Sequence, residues 1–399
     1  MKKLFPLFMV FVFILAACSP ASSKAPSGEI IYTYSIDNTH QGWASLDIAT
    51  GVSSPFPGIV STNPNNWKWI EFVTAFDDKL AVFVSIRERN SEPRITNVTE
   101  EVMVFERGKY FIPLAVYSLD QLGLSALSTH WGSSVQNPVP LFYGNRTMAS
   151  IGLYDLSLAG LSKTTDLTTV PETTCIWNNR VTLSPNGKKA IINFDFDDTP
   201  GCIEANVVWD TEQGFVVKTV SGETTYTWKP TYLDFSWKFP HGWLDNDTII
   251  VEEHFPTTEE NGSSRLSLYD TSGSLQKIIY EQNGNSSSFS SIVSSPDGRY
   301  LSYVLDNKQL FVYDMKTGKS QNIVAGFDFG SNRVCNATWS PDGKWHTILL
   351  NKTCGVYSDE GYSAYESGLY AIKFDGSQIV PLMTDQKIDF VLAWYPPVR

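Results

Sequence analysis

Residues 295–318 read SPDGRYLSYVLDNKQLFVYDMKTG, and their reading decides the fold. Ser295-Pro296-Asp297-Gly298 is a tight turn. Proline pre-sets φ at its second position, aspartate suits the third, and glycine takes the position that can require positive φ. Tyr300 to Leu305 follows as an apolar strand. A further strand ends in Tyr313-Asp314, and Gly318 closes a second turn. Strand, tight turn, strand and acid–glycine turn make up one antiparallel sheet unit.

Both halves of the unit recur, so the chain is first read for repeats. The tight turn returns as Ser184-Pro185-Asn186-Gly187 and Ser340-Pro341-Asp342-Gly343, and more loosely as Trp243-Leu244-Asp245-Asn246-Asp247. The strand ending in an acid before a glycine turn occurs seven times. The acids are Asp47, Glu106, Asp155, Asp210, Asp270, Asp314 and Asp375, followed by Gly51, Gly108, Gly160, Gly214, Gly273, Gly318 and Gly376. Acids 44 to 61 residues apart, with strands alone between them, are the mark of propeller blades. No sustained apolar stripe of helical period occurs, so few helices are expected. The expectation is an all-β chain forming a single propeller of four-stranded antiparallel blades. Seven blades follow from the turn count, with six or eight as alternatives.

The ends complete this picture. Ile30 to Tyr34 reads as a strand with no strand before it in its unit, and Asp389 to Trp394 supplies one. Pairing the two termini would close the ring and remove the open sheet edges that invite aggregation.

The S-P-D-G-[KR] turn, followed by a strand ending in Asp and a glycine turn, resembles the WD40-like PD40 repeat of TolB-type propellers. The resemblance is strong over residues 175–384. Residues 29–170 match through the acid–glycine pattern alone, and Glu106 departs from its aspartate. It implies that the tight turn joins the first and second strands of a blade, and the acid–glycine turn the third and fourth. It also implies protein–protein interaction as the activity.

The N-terminus points to export. Lys2 and Lys3 precede an apolar run from Leu4 to Ala16, short for a membrane span and suited to a removable signal. Leu15-Ala16-Ala17-Cys18 resembles the lipobox of bacterial lipoproteins. The expected organisation is a signal peptide over 1–17, a lipidated Cys18 with a flexible tether to residue 28, and a propeller over 29–399. The lipid would hold the protein on its membrane, facing periplasm or cell exterior. Ser19 favours the outer membrane in a two-membrane cell.

Composition excludes one class of partner. The chain carries 30 Lys and Arg against 42 Asp and Glu, a net charge of −12. No basic run appears, so nucleic acid is not an expected partner. Four cysteines remain beyond Cys18, and export permits disulfides. Four cysteines allow three pairings. Cys175 and Cys202 flank the 184–187 turn, as Cys335 and Cys354 flank the 340–343 turn, each pair with the same offset. Pairs 175–202 and 335–354 are therefore expected.

Candidate chemistry is sparse. No G-x-S-x-G elbow, H-E-x-x-H or C-x-x-C motif is present. Asp195, Asp197 and Asp198 form an oxygen-rich cluster of the kind that binds calcium, but a solvated strand end explains them as well. Glu252 and His254 would share one face of a strand, which permits a metal or acid–base site. Trp67, Trp69, Trp237 and Trp243 fall on first strands, where such rings pack between blades. Trp131, placed between blades 2 and 3, is the candidate for ligand stacking. No cofactor is expected. The leading functional expectation is a non-catalytic module binding an envelope protein or peptide, with specificity in insertions 87–100 and 121–140. The alternatives are an envelope enzyme of glycan lyase, hydrolase or lactonase type with a site at the channel mouth, and a glycan or peptide binder for uptake.

Overall fold

In the computed structural model, residues 25–397 are described apart from 36–40, 57–65, 77, 90–94, 127–138, 146–147, 170–173, 176–180, 197–211, 222, 229–236, 256–261, 283–287, 353 and 355–366. The described residues form seven small antiparallel sheets in chain order. Their only helix is one 3-10 turn, Asp120–Leu122. The chain is a β-propeller, and each sheet is a blade with strands a to d.

Blade 1 joins both termini: Ile388–Tyr395 pairs with Glu29–Ser35, followed by Gln41–Asp47 and Val52–Pro55. Blade 2 comprises Asn66–Phe76, Lys79–Arg89, Ile95–Glu106 and Ala115–Ser118. Blade 3 comprises Leu124–Ala126, Val139–Asn145, Met148–Ser157 and Gly160–Thr169. In blade 4, Thr174–Cys175 and Val181–Leu183 both pair with Lys189–Phe196, ahead of Glu212–Thr219 and Thr224–Trp228. Blade 5 comprises Trp237–Trp243, Thr248–Phe255, Ser263–Asp270 and Leu275–Gln282. Blade 6 comprises Phe289–Ser294, Tyr300–Leu305, Gln309–Asp314 and Lys319–Asn322. Blade 7 comprises Arg333–Trp339, Trp345–Asn351, Ser367–Lys373 and Ile379–Gln386.

The a strands of blades 4, 5, 6, 7, 1 and 2 touch one another in that order, so they form the inner ring. Apolar side chains from facing sheets fill the space between blades. Ile31, Trp43 and Phe56 of blade 1 meet Val82 and Phe105 of blade 2, for example, and Leu266 and Leu268 of blade 5 meet Leu301 and Tyr303 of blade 6. Two first-strand tryptophans serve this packing, while the side chains of Trp67, Trp69 and Trp237 lie outside the described ones. Trp243 Nε1 donates to the Thr182 carbonyl at 2.9 Å, and Trp339 Nε1 to the Val293 carbonyl at 3.1 Å, each reaching the preceding blade.

The three tight turns join strands a and b and share one set of hydrogen bonds. In each, the serine hydroxyl donates to the Asn or Asp two residues on, at 2.8, 2.6 and 2.7 Å for Ser184, Ser295 and Ser340. It also accepts the backbone N–H five residues on, from Lys189, Tyr300 and Trp345. The glycines have φ of 65, 69 and 66°. The acids of the c–d turns cap their own backbones. Asp47 Oδ1 accepts from Ala49 N, Asp270 Oδ1 from Ser272 N, Asp314 Oδ1 from Lys316 N and Asp375 Oδ1 from Ser377 N. In an up-and-down sheet both turn types lie at one end. Contacts between blades align these ends: Asn186 N donates to Asn246 Oδ1 at 2.9 Å, and Lys189 Nζ reaches Asp247 at 2.5 Å and Thr271 at 3.2 Å. The disc therefore has a turn face and an opposite loop face.

One copy of the acid–glycine pattern does not behave as expected. Gly214 lies inside strand c of blade 4, opposite Phe194, and Asp210 lies outside the described residues. The c–d turn falls instead after Thr219, whose Oγ1 accepts from Glu223 N, so a threonine replaces the aspartate cap. The alternating Phe215-Val216-Val217 run carries the ladder past the glycine. Two expected insertions are also corrected. Across 87–100 the strands continue to Arg89 and resume at Ile95, because the long blade 2 hairpin stays paired there. Segment 121–140 contains part of the 3-10 turn, all of strand a of blade 3 and the start of its strand b.

Cys335 and Cys354 form a disulfide across the strand a–b hairpin of blade 7, with Cα atoms 4.7 Å apart. Of the other expected pair, Cys175 is in a strand of blade 4 and Cys202 lies outside the described residues.

Candidate functional site

Among the described residues, blade 5 brings polar side chains together on both faces of one strand. Its strand b carries Glu252, Glu253 and His254 in succession, and alternation sends neighbours to opposite faces. Strand a, Trp237–Trp243, runs beside it in the inner ring. A bulge between Pro240 and Gly242 leaves His241 as an extra residue in that strand. Bulges of this kind re-aim a side chain, and glycine at φ 147° accommodates the bend.

The bulge turns His241 onto Glu252. His241 Nε2 lies 2.6 Å from Glu252 Oε2, and His254 Nε2 lies 2.8 Å from Glu252 Oε1. One carboxylate is therefore bracketed by two imidazoles, one per oxygen. The Glu252 and His241 side chains are 8% and 9% exposed, and His254 reaches 17%, which marks it as the member nearest solvent. Burial pushes the Glu252 carboxyl up, but the bonds from His241 and His254 outweigh it and leave the group below its ordinary value. Phe239 packs edge-on against the His241 ring at 5.0 Å.

On the opposite face Glu253 is fully buried. Arg265 Nε donates to its Oε2 at 2.7 Å, as does Ser267 Oγ at 2.7 Å. Tyr269 Oη donates to Oε1 at 2.6 Å, and Lys238 Nζ lies 3.1 Å from the same oxygen. Burial again opposes ionisation, and Arg265, Tyr269 and Ser267 together hold the carboxyl below its ordinary value. Two contacts fall on each oxygen, all from strands a and c of blade 5, so this carboxylate braces blade 5 internally rather than facing a ligand.

The strand pairing of Glu252 and His254 was expected. His241 was not, although Pro240-His241-Gly242 within a strand is itself a sign of a bulge. The other candidates are not brought to this site. Asp195 pairs in the ladder with Cys175 and Gln213. Asp197, Asp198, Cys18 and Trp131 lie outside the described residues. Trp131 falls in sequence between strands a and b of blade 3, not between blades. Among the described residues, no three His, Cys, Asp or Glu side chains are arranged to hold a metal ion.

No family model matches the sequence, and no curated protein does. Solved structures are similar in shape. A mutant of the apocarotenoid oxygenase of Synechocystis is 11% identical, with 92% of each chain covered and a TM-score of 0.50. An oligogalacturonate lyase from Vibrio parahaemolyticus is 12% identical over 90% of this chain and 87% of its own, with a TM-score of 0.48. The periplasmic gluconolactonase of Pseudomonas aeruginosa is 13% identical over 92% of this chain and 98% of its own, with a TM-score of 0.44. At these identities the likeness is one of fold.

Proposed function

We propose that the chain is a lipid-tethered envelope propeller with an acid–base site on blade 5, acting as a lyase, hydrolase or lactonase on a sugar-derived substrate. The observation that carries the reading is the His241–Glu252–His254 cluster. A buried carboxylate that accepts from an imidazole sets its tautomer and stabilises its charged form. An imidazole that donates from Nε2 keeps Nδ1 as its basic atom. His254 is the more exposed ring and stands toward the loop end of its strand, so it is assigned the proton transfer. Glu252 and His241 position it.

The test is turnover by the lipidated chain on three panels: oligouronates, followed by the absorbance of the unsaturated product; aryl glycosides; and sugar lactones, followed by acid release. Turnover that falls about 10²-fold or more in both His254→Ala and Glu252→Gln, with the fold retained, is the expected result. Turnover indifferent to both substitutions, or none on any panel, would sink the assignment.

A binding module is the second reading. It is favoured by the length of the b–c connections of blades 4 and 7, Phe196 to Glu212 and Asn351 to Ser367. Cross-linking to solubilised envelope extract, with one protein retained and lost on shortening either connection, would establish it.

A further inference from the structure

We propose that the rim of the turn face at blades 1 to 3 lies on the lipid bilayer, so that the loop face looks away from the membrane. The inference rests on lipidation of Cys18. Phe111, Ile112, Leu114 and Val116 follow one another along the c–d turn and strand d of blade 2, and are 76%, 77%, 50% and 48% exposed. On either side, Val52 of blade 1 is 57% exposed and Leu158 of blade 3 is 48% exposed. Tyr117 of strand d donates to the Leu158 carbonyl, tying blade 2 to the c–d turn of blade 3. Singly exposed apolar residues are ordinary, but a continuous run of this kind marks a contact surface.

The occupant is indicated by where the tether enters. Trp394 Nε1 donates to the Ser27 carbonyl at 3.1 Å, and Ile48 N donates to the Gly28 carbonyl at 3.0 Å. The next residue, Glu29, receives Arg107 Nε and NH2 at 3.3 Å each, and the Tyr110 hydroxyl. Phe111 follows Tyr110 directly. The chain from Cys18 thus joins the fold beside the exposed run, at the turn end of blade 1. Ten residues, Ser19 to Gly28, span at most about 35 Å, so an acylated Cys18 holds this rim within reach of the bilayer. With a net charge of −12 the chain is repelled by anionic headgroups, and apolar contact is the attraction left.

The experiment uses the full chain, exported and purified from membranes, in phosphatidylcholine vesicles whose acyl chains carry a shallow nitroxide quencher. Phe111→Trp is compared with the parent and with Leu275→Trp, an exposed position at the corresponding turn of blade 5. Apolar side chains of docked segments sit about 5–10 Å into the interface. The indole added at 111 should therefore lose roughly half its emission or more, and the one at 275 none. Equal, negligible quenching at both positions would mean the disc hangs free on its tether, and would overturn the proposal. An indole at 111 shielded without quenching, with a doubled mass, would assign the rim to a second copy and overturn it as well. Mass spectrometry of the Cys18 peptide separates the causes of failure: an unlipidated Cys18 removes the tether and the proposal together, whatever the fate of the blade 5 site.

Discussion

The two faces of the disc are built by different rules. On the turn face, Ser184, Ser295 and Ser340 repeat one hydrogen-bond set, and Asp47, Asp270, Asp314 and Asp375 repeat another. Each set is closed within a few residues. At the opposite end, the b–c connections range from Asn145 to Met148 in blade 3 to Asn351 to Ser367 in blade 7. A cluster whose members come from two strands of blade 5 reaches from mid-sheet toward that end at His254. Uniform turns keep the blades in register, and on the proposed function the variable end carries the chemistry.

Glu253 is the test that could break this division, because it lies near the loop end yet is assigned a structural role. Glu253→Ala leaves Lys238 and Arg265 without their buried counter-charge, and should cost about 3–5 kcal/mol by chemical denaturation. Glu252→Gln, one residue away, keeps the shape and an acceptor for one of the two imidazoles, and should cost far less stability than Glu253→Ala while lowering turnover about 10²-fold or more. Equal losses of stability in the two would end the distinction between brace and site.

His346 sharpens the comparison from the turn side. It sits in strand b of blade 7, fully buried against Trp339 at 3.8 Å, and burial holds it down to about 3. The folded chain therefore keeps this ring neutral while the unfolded chain protonates it below about pH 6.5. Stability should fall by about 1.4 kcal/mol per pH unit from about 6.5 toward 3 on this account. Denaturant melts across that range, compared with His346→Leu, isolate the contribution. The same slope in both proteins would show that the ring is charged in the fold.

The smallest expected effect belongs to a single turn. Asp297→Ala removes acceptors for Ser295 Oγ and Arg299 N and should cost about 1 kcal/mol, with turnover unchanged. A larger loss, or any loss of turnover, would mean that the turns of one face are coupled to the site near the other.

Much of the fold was legible in local chemistry. A serine, a proline, an aspartate and a glycine in succession contain their own hydrogen bonds, so the 295–298 turn is readable without the rest of the chain. The terminal strands announced closure by their period and by each lacking a partner. Blade 4 shows where such reading fails. Trp209-Asp210 with Gly214 has the composition of a turn, but a ladder between Gly214 and Phe194 overrode it. Long-range pairing competes with local preference and wins where the flanking residues are β-branched and aromatic.

By itself the sequence determined that this chain is a closed ring of small antiparallel sheets, with a disulfide across the Cys335–Cys354 hairpin. Those features depend on residues adjacent in the chain or on two ends seeking partners. Only the tertiary structure brought His241 to Glu252, and only it placed Glu29 beside Tyr110 and the exposed Phe111. Both meetings depend on strand register and on which blade faces which, and register is set by the summed packing of whole sheets rather than by the residues that meet.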